Sequence, residues 1–563
     1  MSATVRLISV IIILLIMTLA IFWRIFDLMV VKRNFLLRQG DSRSIRLVKI
    51  PAYRGMILDR NGQPLAISVP VASVWVNPKQ VVVKADLLKP LAKLLGWSEK
   101  QLQNYINKNK HYSFLYIKRD IPPQLAEKIK QLKLKGVYLQ QAFKRYYPEG
   151  EVAAQLVGLT NIDDQGQEGE ELVFNRWLSG QAGKKRVLVD SYGHVVANLD
   201  LIKPAIPGNN LVLSIDSRIQ YEAYRDLKAA VLKYHAKSGS IVVMDVNTGE
   251  VLAMVDVPSY NPNDRPKIHD GRFRNRAVTD VFEPGSTIKA FSVANALESG
   301  KYTPDTPINT SPGWLKVGHD LVKDDADYGL LDVTGVLQKS SNVGVTKMTL
   351  SLPANSLWQI LHNFGFGQRT HSGFPGESPG FLPQHKLWDP FVLATLSFGY
   401  GLAVTNLQLA HAYATLAAGG VKHPVTLLRL QGRVKSERII RQNIAQTIIA
   451  MLETVVEKGG TATRAQVPGY RDSGKTGTVR MVGPHGYEAN HHTGIFVGIA
   501  PVGSPRLVVS VVIKDPQGTQ FYGGLVAAPV FAKVMSAALR ILNISPDPVK
   551  SSNSKVFSRA KSQ

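Results

Sequence analysis

Three short polar motifs, each in a different local setting and in a fixed order, constrain this chain more than any other feature. Glu283-Pro284-Gly285-Ser286-Thr287-Ile288-Lys289 places a serine after a Pro-Gly turn, at the start of an apolar helical run through Ile288, Ala290, Phe291 and Val293. Ser340-Ser341-Asn342 follows 54 residues after Ser286, and Lys475-Thr476-Gly477-Thr478 a further 135 residues on, in a strand-like stretch. Singly, such strings mean little. Ser552 and Lys555, and again Ser558 and Lys561, repeat the first spacing, and Ser551-Ser552-Asn553 repeats the second. Those copies lie in a polar tail with no strand, turn or apolar helix around them, which is how a solvated linker reads. Order and setting carry the inference: helix start, helical loop, strand.

The residue types suit nucleophilic chemistry. A serine hydroxyl is a poor nucleophile until a base takes its proton. No His–Asp pair is placed to do so. Positions three apart on a helix share a face, so Lys289 is expected to reach the Ser286 hydroxyl and act as the base. A free lysine, with a pKa of ~10.4, is neutral at pH 7 in roughly one molecule in 2,500. Burial and a neighbouring positive charge, which Lys475 is expected to supply, lower that value. A depression of three pH units costs about 4 kcal/mol, which the fold must absorb. Ser340 and Asn342 are then expected to relay a proton and hold a substrate amide. Lys475, Thr476 and Thr478 are expected to bind a substrate carboxylate. Gly477, without a side chain, is expected to let a substrate backbone approach closely. Backbone N–H groups at the helix start near Ser286 suit an oxyanion.

Composition narrows the remaining choices. The 563 residues exceed one ordinary core and imply at least two domains. Lys and Arg number 67 against 42 acidic residues, a formal net charge of +25, which favours polyanionic surroundings such as nucleic acid, anionic lipid or an acidic wall polymer. A nucleic-acid partner is disfavoured, because no basic run with interleaved aromatics and no zinc-finger or RNA-binding signature occurs. There are no cysteines, so disulfides, thiolate nucleophiles and thiolate-held metals are excluded. The 13 histidines contain no HExxH spacing, and adjacent His491 and His492 would face opposite sides of a strand, so no metal or other cofactor is expected.

Leu7 to Trp23 carries no charge, and the apolar character resumes past Arg24 and Asp27 as far as Val31. At about 1.5 Å per residue, such a helix covers the roughly 30 Å of a bilayer. It is expected to remain as an anchor over 7–31, with 1–6 as a short cytoplasmic tail. The flanking charges argue the other way: Arg6 precedes the run, whereas Arg24, Lys32, Arg33 and Arg38 follow its start. Beyond the anchor, Asp59-Arg60-Asn61-Gly62 reads as a turn between apolar runs. Residues 80–135 read as short amphipathic helices, 140–215 as mixed strands and loops, and a helix begins near Ser217. A hairpin over 241–257, a helical middle over 286–465, and strand runs at 472–479, 494–500 and 507–514 predict an α+β domain whose sheet is assembled from both ends of the segment. The expected organisation is thus a mixed α/β module over 45–215, a second domain over 216–544 and a disordered tail over 545–563.

With these motifs in hand, the chain resembles the penicillin-binding proteins and serine β-lactamases. Arg54 to Gly62, Lys144-Arg145-Tyr146-Tyr147-Pro148 and Gly166-Gln167-Glu168-Gly169 resemble the class B group. Phe398-Gly399-Tyr400-Gly401, Tyr522-Gly523-Gly524 and Ala527-Ala528-Pro529-Val530-Phe531 resemble its division-specific, FtsI-type branch. Gln167 and Glu170 depart from the apolar residues usual there. The resemblance implies one N-terminal transmembrane helix, an elongated non-catalytic pedestal over 45–215, and a transpeptidase domain with a central antiparallel sheet flanked by helices. It implies a D,D-transpeptidase in which Ser286 attacks the penultimate D-alanine of a peptidoglycan stem pentapeptide, the backbone N–H groups of Ser286 and Thr478 form the oxyanion hole, and β-lactams acylate the same serine. It also implies an FtsW-like SEDS glycosyltransferase and other divisome proteins as partners, and an inner-membrane protein whose catalytic domain is periplasmic. The rivals are an elongation-type class B enzyme, whose second motif usually reads Ser-x-Asp where this chain has Asn342, a β-lactamase, and a β-lactam-sensing receptor or inactive scaffold.

Overall fold

The computed structural model describes residues 2–81, 85–190, 195–264, 271–384, 388–432, 434–483 and 486–547. The tail copies of the motifs, from Ser551 to Lys561, lie outside the described residues. The chain divides into two compact units that are discontinuous in sequence. One comprises Met1–Gly55, Ser68–Lys144 and Ser179–Asn209; the other comprises Met56–Ile67, Arg145–Leu178 and Asn210–Gln563.

In the first unit, helix α1 (Ala3–Phe26) buries none of its apolar side chains, as expected of a segment whose partner is lipid. Amphipathic helices Ala85–Leu95, Glu99–Lys108 and Pro123–Gln131 bury Leu88, Leu91, Leu95, Leu102, Ile106 and Ile129 against Val74, Val76, Ile117 and Ile121 of antiparallel strands. Ser98 and Gln101 form a reciprocal capping box that starts the second of these helices. A separate antiparallel sheet pairs Ile45–Ile50 with Gly183–Val189, and Gly183–Val189 with Val195–Lys203.

The second unit is built on a five-stranded antiparallel sheet. Its elements include α2 (Ser217–Lys233), β1 (Ser238–Asp245), β2 (Val251–Val257), α3 (Lys289–Glu298), α4 (Val333–Lys339), α5 (Asn342–Leu350) and α6 (Asn406–Ala417). They continue with β3 (Ser473–Gly483), β4 (Gly486–Ala500), β5 (Leu507–Lys514) and α7 (Ala528–Ile541). The strand order is β2-β1-β5-β4-β3, so the early hairpin joins the late strands through β1 and β5, as the sequence predicts. Alternation sends successive side chains to opposite faces. A Cβ on Gly239 would meet Leu227 and Val231 of α2, while the next residue, Ser240, accepts a hydrogen bond from Asn406 Nδ2 of α6 at 3.0 Å. The sheet is thereby covered on both sides, and β1, β2 and β5 are buried almost throughout.

The short stretches of this unit drawn from the earlier sequence are tied in by polar contacts. Asp59 closes the expected turn by accepting from the backbone N–H of Asn61 and Gln63, and it also accepts from Ser217 Oγ at 2.8 Å. Arg145 and Glu171, both buried, pair at 2.6 Å. Glu170 beside them is 2% exposed, and burial pushes its carboxyl up to about 8, so a residue that departs from the usual apolar pattern is accommodated uncharged.

Candidate active site

Ser286 lies in a single 3-10 turn, Gly285–Ile288, that leads into α3, rather than within the α-helix itself. Gly285 makes the turn with φ 53°, and a Cβ there would lie 2.5 Å from Val479 of β3. Thr287 Oγ1 donates to the Pro284 carbonyl at 2.8 Å, and Tyr413 of α6 donates to the Thr287 carbonyl at 2.8 Å. The hydroxyl of Ser286 is half-buried and makes no hydrogen bond among the described residues.

The expected bond between Lys289 and Ser286 is not formed. Lys289, fully buried, donates instead to the Ser340 carbonyl at 2.5 Å, to Ser340 Oγ at 3.2 Å and to Asn342 Oδ1 at 2.7 Å. Lys475, also fully buried, donates to Ser340 Oγ at 3.0 Å. The three motifs thus converge on one hydroxyl. Ser340 presents both its carbonyl and its hydroxyl because it ends α4 in the left-handed region, at φ 59°. That conformation costs a non-glycine residue roughly 1–2 kcal/mol.

Burial pushes the Lys289 ammonium down to about 7, against the opposing pull of Asp324 and Asp325. Burial also holds Lys475 well below the usual lysine value, with the nearby Lys289 as a second cause. Of the two expected causes, burial accounts for the depression of Lys289, and the charge effect falls on Lys475 instead. At pH 7 about half of the Lys289 side chains are neutral and able to accept a proton.

Asp324 has no counterpart in the motif reading. Its carboxylate accepts from Ser341 Oγ at 2.6 Å and from the backbone N–H groups of Asn342 and Val343, the latter at 3.0 Å. Ser341 caps α5 through Gly344 N. Asp324 thereby fixes the start of α5 and the loop from which Ser340 and Asn342 project. No local pattern marks it, since it precedes the motif by 16 residues on a different hairpin. Asn342 is committed to Lys289 through Oδ1 and to the Lys323 carbonyl through Nδ2 at 2.8 Å, leaving one of its two amide hydrogens for a substrate carbonyl.

β3 is an edge strand, and the serine turn packs against it. A Cβ on Gly477 would lie 2.8 Å from the Pro284 carbonyl and 3.1 Å from Thr287 Cγ2. The missing side chain thus admits the serine turn, where the sequence suggests a substrate backbone. The other glycine motifs have the same reason: a Cβ on Gly399 would sit 2.0 Å from the Gly285 carbonyl, and one on Gly523 2.3 Å from the Gly477 carbonyl. Thr476 shares a hydrogen bond of 3.0 Å with Thr461, and Thr478 Oγ1 accepts from Gly523 N at 3.0 Å. Glu283 accepts from Gly401 N at 2.8 Å and from Tyr487 OH at 2.9 Å, tying the Gly401 loop and the start of β4 to the residue that opens the serine turn.

Comparison with known proteins agrees with this arrangement. Residues 239–536 match the penicillin-binding protein transpeptidase domain, and residues 49–213 match the penicillin-binding protein dimerisation domain. The chain is 44% identical to the peptidoglycan D,D-transpeptidase FtsI of Escherichia coli over 95% of this chain and 91% of that one. It is 42% identical to the probable peptidoglycan D,D-transpeptidase PbpC of Pseudomonas aeruginosa over 97% of each. Among solved structures, it matches penicillin-binding protein 3 of Mycobacterium tuberculosis in complex with aztreonam, with a TM-score of 0.69 and 27% identity over 89% of this chain and 98% of that one.

Proposed function

Because the chain belongs to the class B penicillin-binding proteins, we propose that it is a septal peptidoglycan D,D-transpeptidase working through an acyl-enzyme on Ser286. The observation that carries this reading is the single Ser340 hydroxyl held by two fully buried lysines, Lys289 and Lys475, beside the serine turn. Ser286 Oγ attacks the carbonyl of the penultimate D-alanine of a stem pentapeptide. Neutral Lys289 takes the hydroxyl proton and returns it through the Ser340 hydroxyl, which gives its own proton to the departing D-alanine amine and is reprotonated by Lys289. The backbone N–H groups of Ser286 and Thr478 hold the oxyanion; a Cβ added to Gly285 would lie 3.8 Å from Thr478 N, so the serine turn runs beside that N–H, which supports the role. Thr476, Thr478 and Lys475 bind the terminal carboxylate, and Gly477 keeps strand and serine turn in register. A stem amine from a second strand then attacks the ester and regenerates Ser286. β-Lactams acylate the same serine.

The reading is tested with the purified full chain and uncross-linked stem pentapeptide. It expects D-alanine release together with a cross-linked product. Rapid, sustained penicillin hydrolysis without cross-links contradicts it and favours a β-lactamase. Asn342, where elongation-type relatives usually carry Asp, favours the septum, so a fluorescent fusion is expected at midcell and not along the lateral wall. Helix α1 is a candidate membrane anchor. We place the catalytic unit on the periplasmic side because its substrate lies there, with an FtsW-like glycosyltransferase and other divisome proteins as partners of the 45–215 module.

Asp324 supplies a positioning test. Its negative charge raises the Lys289 pKa, so Asp324→Asn lowers that pKa, and the pH midpoint of penicillin acylation moves to more acidic values. Loss of a carboxylate that accepts three hydrogen bonds is also expected to cost about 1–3 kcal/mol of stability, measured by denaturant unfolding. A slower reaction with an unmoved midpoint would contradict the coupling.

A further inference from the structure

A cavity of about 590 Å³ in the second unit is lined by none of the motif residues. Its size falls in the range of sites for small ligands. Three cations line it, Arg369, Lys422 and Lys435, together with the imidazoles of His371 and His423; Glu437 is the single carboxylate among the described lining residues. Phe364 and Pro424 add apolar wall.

Lys422 differs from the general basic surface of the chain, whereas Arg369 and Lys435 are exposed at the rim. Lys422 is half-buried, its amine lowered by desolvation, and it donates to the Asn363 carbonyl at 3.1 Å. That bond uses one of its three donors. No carboxylate forms an ion pair with Arg369, Lys422 or Lys435 among the described residues. Glu377, next to Arg369 in the adjoining hollow, is taken up by Thr370 and Ser372. The wall itself is built rather than loose. His411 of α6 is fully buried and pushed down to about 4, so it is neutral at pH 7 and its Nε2–H donates to the His423 carbonyl at 2.7 Å. The charge of Glu437 opposes the desolvation of Lys422, so the lining sets three cations against one carboxylate, and a bound carboxylate balances the excess positive charge.

We propose that this cavity is a second, non-catalytic site for the carboxylate end of a peptidoglycan stem peptide. The proposal rests on the transpeptidase reading for the identity of its ligand. It is tested by calorimetry on the full chain after penicillin has blocked Ser286, with a soluble disaccharide pentapeptide as the probe. The pentapeptide is expected to bind the blocked protein. Amidating its terminal carboxylate, or introducing Lys422→Met or Arg369→Ala, is expected to weaken binding about tenfold, the value of one charge-assisted hydrogen bond. Inorganic phosphate at the same concentration is expected not to displace it. Absent binding, affinity unchanged by amidation or by both variants, or equal displacement by phosphate would overturn the proposal. Penicillin acylation at the wild-type rate in both variants shows that fold and catalytic centre are intact. Failure of the wild-type chain to be acylated at all would count against the transpeptidase reading instead, because the cavity takes no part in acylation.

Discussion

Ser286→Ala is expected to abolish covalent penicillin labelling and to reduce cross-linking by about a millionfold, the scale of losing an activated serine nucleophile. Folding should survive. The Ser286 hydroxyl makes no hydrogen bond among the described residues, so its removal leaves the Lys289–Ser340–Lys475 contacts in place. A change in unfolding free energy within about 0.5 kcal/mol is expected. Ser340→Ala provides the contrast. It strips an acceptor from two buried lysines and is expected to destabilise by about 1–3 kcal/mol, while a slower adduct still forms on Ser286. Cross-linking that persists in Ser286→Ala would reject the mechanism.

Lys289→Met is expected to slow acylation by about 10²- to 10⁴-fold, the usual contribution of a positioned base. Lys289→Arg should fare no better, because a guanidinium cannot give up its proton in this pH range. The wild-type pH profile supplies the sign. The neutral amine is the reactive form, and burial sets the Lys289 pKa to about 7. The acylation rate is therefore expected to fall as pH drops below about 7 and to level off above it. A rate that declines as pH rises through 7 would contradict a lysine base.

Much of this was legible in the sequence, and the gaps have physical causes. The strand runs at 494–500 and 507–514 are largely apolar and stand out, whereas the run at 472–479 is marked by its motif rather than by apolar side chains. The far ends of β3 and β4, through Arg480, Tyr487, His491 and His492, pair as a ribbon whose side chains are largely polar or exposed, so no alternation marks them. The motif residues are legible because each carries its chemistry in a short string. Asp324 is not legible, because its contacts exist only after a hairpin and a helix start are folded together. Gly477, Gly399 and Gly523 were visible as glycines, but their purpose, letting the serine turn and strand backbones touch, is a tertiary fact. Spacing alone also does not reveal the hydrogen bonds of Lys289, which run to Ser340 and Asn342 rather than to Ser286.

The central claim is that Ser286, and not the doubly hydrogen-bonded Ser340, becomes covalently acylated. The most direct test is peptide mass spectrometry of the full chain after brief labelling with a fluorescent penicillin. One adduct is expected, on the peptide carrying Ser286. An adduct on Ser340, or on Ser552 or Ser558 of the tail, would contradict the account.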